Sequence, residues 1–196
     1  MHNEPASGKK ARNSVRVLRR QTPVLRPEEL AIVQQNVAAI HEAGHVVASV
    51  ELGVPALSVR IPTIEELIST DNDIPGTTMI NRSEMSPAEL VMVLFAGELA
   101  QRRYMRPLGM PADIIADWAN DRTEIKLVFD RMPLEPYIVN IVRRRLRRRT
   151  ATLVRRNWDQ IEALAGVLVQ HRNDLSREEI EKVLTRVRSS REAAPG

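Results

Sequence analysis

Only four of the 196 residues are histidine, and two of them stand four positions apart in the stretch AAIHEAGHVVASVELG. On a helix, His41 and His45 would leave from one face with Cβ atoms about 6 Å apart. A single Zn²⁺, held at about 2.0–2.1 Å from each imidazole nitrogen, can bridge that gap. Glu42 follows the first histidine and so lies about 100° further round the helix. There it flanks the ion without binding it, and it can take a proton from a metal-activated water. This is the HExxH arrangement, two histidines as clamp and a glutamate as general base. Two unliganded imidazoles among Val37, Ile40, Val46 and Val47 would cost a few kcal/mol to desolvate. Gly44 between them opens the helix surface to something packed close.

A catalytic zinc site needs a third protein ligand and an open position. The chain has no cysteine, which excludes thiolate and leaves histidine and carboxylate. Spacing alone does not choose among Glu65, Glu66, Asp71, Asp73, Glu84, Glu98, Asp113, Asp117, Asp121 and His171. His2 is set aside because it lies in the polar N-terminal arm.

The elements that must position these groups are mostly helical. Pro27, Glu28 and Glu29 suit the start of a helix that carries the histidine pair, and Gly53 followed by Pro55 supplies its stop. Two short β-like runs follow, ALSVRIP and GTTMINR, with an acidic excursion at 63–75 between them. The next helix opens on Ser86, Pro87 and Glu89, a capping-box pattern. A loop at 106–118 leads to another helix from Asn120. Pro133 and Pro136 break that helix, a long amphipathic helix is predicted over 137–172, and a last one follows the cap Ser176. The expected fold is mainly α with a small β-sheet. Residues 1–25 are expected to be a flexible basic arm, 26–188 a single domain and 189–196 a tail.

The net charge of +4 and pI of about 9.9 raise the question of nucleic acid. The densest basic cluster is VRRRLRRRT at 142–150. On a helix its six arginines spread round most of the circumference, while Val139, Val142, Leu146, Thr150 and Leu153 make one stripe. The run therefore reads as the solvated faces of a helix docked through Leu146, in preference to a nucleic-acid patch. There is no GxxxxGK[ST] phosphate loop. No run approaches the roughly 20 apolar residues that span a bilayer. The arm lacks the apolar segment of a secretory signal, so the expected setting is the cytoplasm.

HEAGH, in place of a generic HExxH, resembles the FtsH-type zinc metallopeptidases. LSVRIP and GTTMI are similar to that family's two strands after the motif helix. SPAELVMVLFAGELAQ resembles its helix with the small-residue GGRxAEE pattern, DWANDRTEI its GASNDLxxA segment, and the stretch from RRNWDQ to EEIEKVL its C-terminal helices. The likeness covers about residues 28–187.

It implies that Asp121, in the ND pair, completes the metal site with His41 and His45, and that Glu42 is the base. It implies hydrolysis of peptide bonds in unfolded polypeptides, six-fold homo-oligomers, and an AAA+ ATPase ring, here expected as a separate partner. As in zincins generally, an extended peptide would add to the strand around Val59, Arg60 and Ile61. Gln101 and Arg102 stand where the family pattern has an acidic pair. The rival expectations are an inactive peptidase-like interaction module and a nucleic-acid-associated basic protein.

Overall fold

The computed structural model describes residues 26–69, 76–109, 119–170 and 173–193. Its elements run α1 (Pro27–Glu51), β1 (Ala56–Arg60), α2 (Ile64–Ser69), β2 (Thr77–Ile80), a 3₁₀ turn (Arg82–Glu84), α3 (Pro87–Met105), α4 (Ala119–Asp130), α5 (Pro136–Arg156), α6 (Trp158–Gln170), β3 (Asp174–Ser176) and α7 (Arg177–Glu192). The protein is mainly α with a small antiparallel sheet. No helix among the described residues is long and apolar enough to cross a membrane.

Helix ends follow the local signals. Ser86 Oγ accepts from Glu89 N while the Glu89 carboxylate accepts from Ser86 N, so α3 starts on a closed capping box. Ser176 and Glu179 repeat the device at α7. Gly53 takes φ +88° just past the end of α1, a conformation that costs glycine nothing.

The molecule is built round α1. Val37 to Ser49 are buried without interruption, the mark of a helix enclosed on all sides. On one side α1 packs against β1 and α6 through Val46, Val47, Val59, Leu164 and Leu168, and Ile180 of α7 joins the same cluster. On another, Gly44 lets it press on α3: a Cβ there would lie 2.8 Å from Ala96 O and 2.9 Å from Ala100 Cβ. A second cluster joins the far face of α3 to α4 and α5 through Phe95, Ile125, Phe129 and Leu146. Leu146 and Thr150 are buried and Arg143, Arg144, Arg145, Arg148 and Arg149 exposed, so the arginine helix is docked through Leu146 as its pattern implies.

Four expectations are corrected. The helix over 137–172 is two helices, because buried Asn157 ends α5 with φ −111° and ψ 27°. Its amide and side chain both donate to Leu153 O, at 3.1 and 3.2 Å, and its Oδ1 accepts from Gln160 Nε2 at 3.0 Å. The excursion contains a helical turn, α2, held by reciprocal bonds between Thr63 and Glu66; residues 70–75 lie outside the described part. The sheet gains a third strand, β3, too short to show a period. Finally, α7 runs to Glu192, so residues 189–192 belong to a helix. Its last turns are tied down by Arg188 to Glu51 and Arg191 to Asp159.

The strand order β2-β1-β3 also decides the peptide-pairing expectation. Val59 faces Thr78 on one side and Leu175 on the other, and Arg60 faces Thr77 and Asp174. Ile61 N donates to Asn173 O. Val59 and Ile61 are buried, and Arg60 is paired with Glu66. β1 is the central strand with both edges used, so no peptide can add to Val59, Arg60 or Ile61.

Candidate metal centre

α1 and α3 supply most of the site as two matching stripes. His41 and His45 leave α1 one turn apart, with ring centroids 4.7 Å apart and nearly perpendicular. Facing them on α3 are Val93, Gly97 and Gln101, also at four-residue spacing. His45 Nδ1 donates to Val93 O at 2.8 Å, and a backbone carbonyl only accepts, so this fixes which ring nitrogen bears hydrogen. His41 Nδ1 donates to Gln101 Oε1 at 3.0 Å. Both neutral rings therefore turn bare Nε2 atoms inward, 3.0 Å apart.

The third member comes from α4, whose first turn carries Asp121. Asp121 Oδ2 lies 3.1 Å from each Nε2. It is buried and meets hydrogen-bond geometry to no atom. Three acceptor atoms thus converge at 3.0–3.1 Å with no donor among them in the neutral form. Such a cluster calls for a positive centre. Tetrahedral ligands of zinc sit about 3.3–3.4 Å apart, within a few tenths of an ångström of this triangle. The donor set, two imidazoles and a carboxylate, is that of a zinc site with an open position. His41 and His45 hold their rings by outer hydrogen bonds, as metal-ligating histidines do.

A proton is the other positive centre on offer. Burial disfavours the His45 imidazolium, but the negative charges of Asp121 close beside it and of Glu42 outweigh burial and raise the pKa to about 9. Burial pushes Asp121 up, yet both histidines beside it hold its carboxyl well below the usual carboxylate range. A proton on His45 satisfies one acceptor contact, whereas a metal ion satisfies all three atoms.

Glu42 completes the arrangement. It is buried, and its carboxylate and the two ring nitrogens lie within 4.8 Å of one another. Thr78 Oγ1 donates to Glu42 Oε2 at 2.6 Å, which pins the carboxylate from β2. Two glycines keep this space open. A Cβ at Gly97 would come within 2.5 Å of His45 Nε2 and 2.7 Å of His41 Nε2, and one at Gly76 within 2.6 Å of Glu42 Cγ. The group floors a cleft of about 150 Å³ between β2, α3 and α4, and Arg82 pairs with Glu124 at 2.8 Å among its walls.

No protein-family model matches the chain, and no curated protein matches it.

The structure brings His41, Glu42, His45 and Asp121 together. The other described candidates are elsewhere: Glu65 is exposed, Glu66 pairs with Arg60, Glu84 with Asn81, and Glu98 with Arg102 and Arg147. Asp71, Asp73, Asp113, Asp117, His2 and His171 lie outside the described residues. Gln101 and Arg102, the departures from the acidic pair, each have a place: Gln101 orients His41, and Arg102 pairs with Glu98. Sequence reasoning missed Thr78, the Val93 carbonyl and Gly97. Only Gly97 left a signal, as a glycine one turn before Gln101 inside an otherwise apolar helix.

Proposed function

We propose that this protein is a zinc-dependent endopeptidase of the FtsH peptidase type, with Zn²⁺ held by His41, His45 and Asp121. One observation carries the reading: His41 Nε2, His45 Nε2 and Asp121 Oδ2 converge within 3.0–3.1 Å beside a carboxylate that is pinned but not part of their triangle. A zinc ion bound there would lower the pKa of a water molecule and polarise a carbonyl oxygen.

The chain's own residues do the rest. Glu42 is fixed through Oε2 by Thr78, which leaves Oε1 to take the proton of the attacking water. The same carboxyl then delivers that proton to the leaving amine. The peptide-binding edge is moved from β1 to β2. Among the described residues the outer side of β2 pairs with no strand, and Thr77, Thr78 and Ile80 line the cleft. An extended, unfolded chain adding there would bring its carbonyls past Glu42. Delivery of unfolded substrate by a separate AAA+ ATPase, assembly of a homo-oligomer and a cytoplasmic setting belong to the same proposal.

The test is casein cleavage by the zinc-loaded protein beside Glu42→Gln and Asp121→Ala, with zinc measured in each. Chelator-sensitive cleavage is expected in the wild type. Glu42→Gln should retain one zinc per chain and lose cleavage by at least about a hundredfold. Asp121→Ala should lose the zinc. A wild type that holds zinc and cleaves no unfolded polypeptide would instead mark the fold as an inactive interaction module.

A further inference from the structure

Charge is distributed unevenly along this chain. The arm, residues 1–25, holds six of the 29 Lys and Arg and one of the 25 Asp and Glu, leaving 23 cations against 24 anions. α5 takes eight of those 23 cations and none of the anions. Elsewhere several of the described acids are neutralised by arginines of other elements or neighbouring turns: Glu29 by Arg26, Glu51 by Arg188, Glu66 by Arg60, Glu124 by Arg82, Asp159 by Arg191. On α5 only Arg147 is in an ion pair, with Glu98. The others are exposed, without an ion pair among the described residues.

The free cations have a geometry. With Leu146 and Thr150 turned into the core, Arg144, Arg145, Arg148 and Arg155 fall on the opposite side of the helix. Tyr137 and Ile141 fall on the same side, and the six residues lie within an arc of about 100° on a strip about 27 Å long. Tyr137 is 65% and Ile141 59% exposed, the two most exposed large apolar side chains among the described residues. The strip thus has an aromatic and aliphatic end and a guanidinium end.

We propose that this outer strip of α5 is a docking surface for an anionic lipid bilayer. Charge complementarity names a polyanion, and guanidinium groups pair well with phosphate oxygens. The apolar end separates lipid from nucleic acid. A tyrosine and an isoleucine ahead of a basic row suit the boundary between headgroups and acyl chains, whereas a phosphodiester backbone has no use for the isoleucine. The contact is peripheral and requires no membrane-spanning helix. It is independent of the metal site.

Co-sedimentation of the full-length protein with vesicles tests it, using phosphatidylcholine alone and three parts phosphatidylcholine to one of phosphatidylglycerol. Binding is expected only to the anionic vesicles and should weaken as salt rises. Replacing Arg144, Arg145 and Arg148 together with glutamine should weaken it about a hundredfold, from roughly fivefold per arginine. Tyr137→Ser with Ile141→Ser should weaken it at least about tenfold, and all these side chains are exposed, so circular dichroism should be unchanged. Equal binding to both vesicle types, or unchanged binding in the arginine variant, overturns the proposal. So does tight binding to duplex DNA that ignores the Tyr137 and Ile141 changes, which assigns the strip to nucleic acid. A sedimentation-detected oligomer dissociated by either variant would assign it to a second copy.

Discussion

At the scale of single residues, the hydroxyl of Thr78 is the least expected participant. It fixes one oxygen of Glu42 and thereby chooses which oxygen faces the cleft. Thr78→Val is expected to keep zinc at one per chain and to cost about tenfold in kcat, from loss of one hydrogen bond to a charged group; metal analysis beside casein cleavage checks both halves. His45 makes the second prediction. Its pKa is raised to about 9 from 6.5, so below that pH the metal must displace a proton. Zinc affinity, read by competition with a chromogenic chelator, should therefore climb about tenfold per pH unit between about 7 and 9 and then level off. The histidine pair and Glu42 are legible in the chain because four-residue spacing on a helix is local geometry. Asp121 is 76 positions beyond His45 (121 − 45), and only family likeness singled it out. Thr78 and the Val93 carbonyl were illegible, since tertiary packing alone brings them to α1.

At the scale of elements, the site is an interface between α1 and α3 that two glycines make possible. Gly97→Ala is expected to abolish stoichiometric zinc binding, because the added methyl would sit 2.5 Å from His45 Nε2. Gly166→Ala, with nothing within 4 Å of the added carbon, is the matched control and should bind normally. Helix starts were readable from Ser86 and Ser176, where caps act within four residues. The break at Asn157 was not, because a buried asparagine that bonds Leu153 and Gln160 looks in sequence like any polar residue within an amphipathic run. The position of β1 within the sheet was illegible for a related reason. Alternation finds strands, but it says nothing of their order, and a three-residue strand from the far end of the chain covers the second side of β1.

At the scale of the whole molecule, the proposed ion ties together α1 and α4, two helices otherwise joined through α3. Metal removal should therefore lower global stability as well as activity. With zinc at about a hundred times its Kd the expected contribution is about 2.7 kcal/mol, seen as a lower Tm after chelation. In the metal-free protein the His45–Asp121 pair contributes in its place. Because the His45 pKa is raised, that stabilisation is full below pH 6.5 and is lost as pH rises through about 9. Because the Asp121 pKa is lowered, it is present above pH 3.8 and is lost as pH falls below that. Metal-free protein should be at its most stable between those limits, measurable as Tm against pH.

The unbroken burial from Val37 to Ser49 places the chemistry on the segment with least contact with solvent. Backbone amides there can trade hydrogen for deuterium only when the entire chain opens. A partly melted form in which that helix alone is loosened is therefore not expected, and hydrogen exchange at Val37–Ser49 should match global unfolding. Heat should extinguish ion retention and tertiary structure in one step, while the distant arginine strip stays unaffected until that same moment.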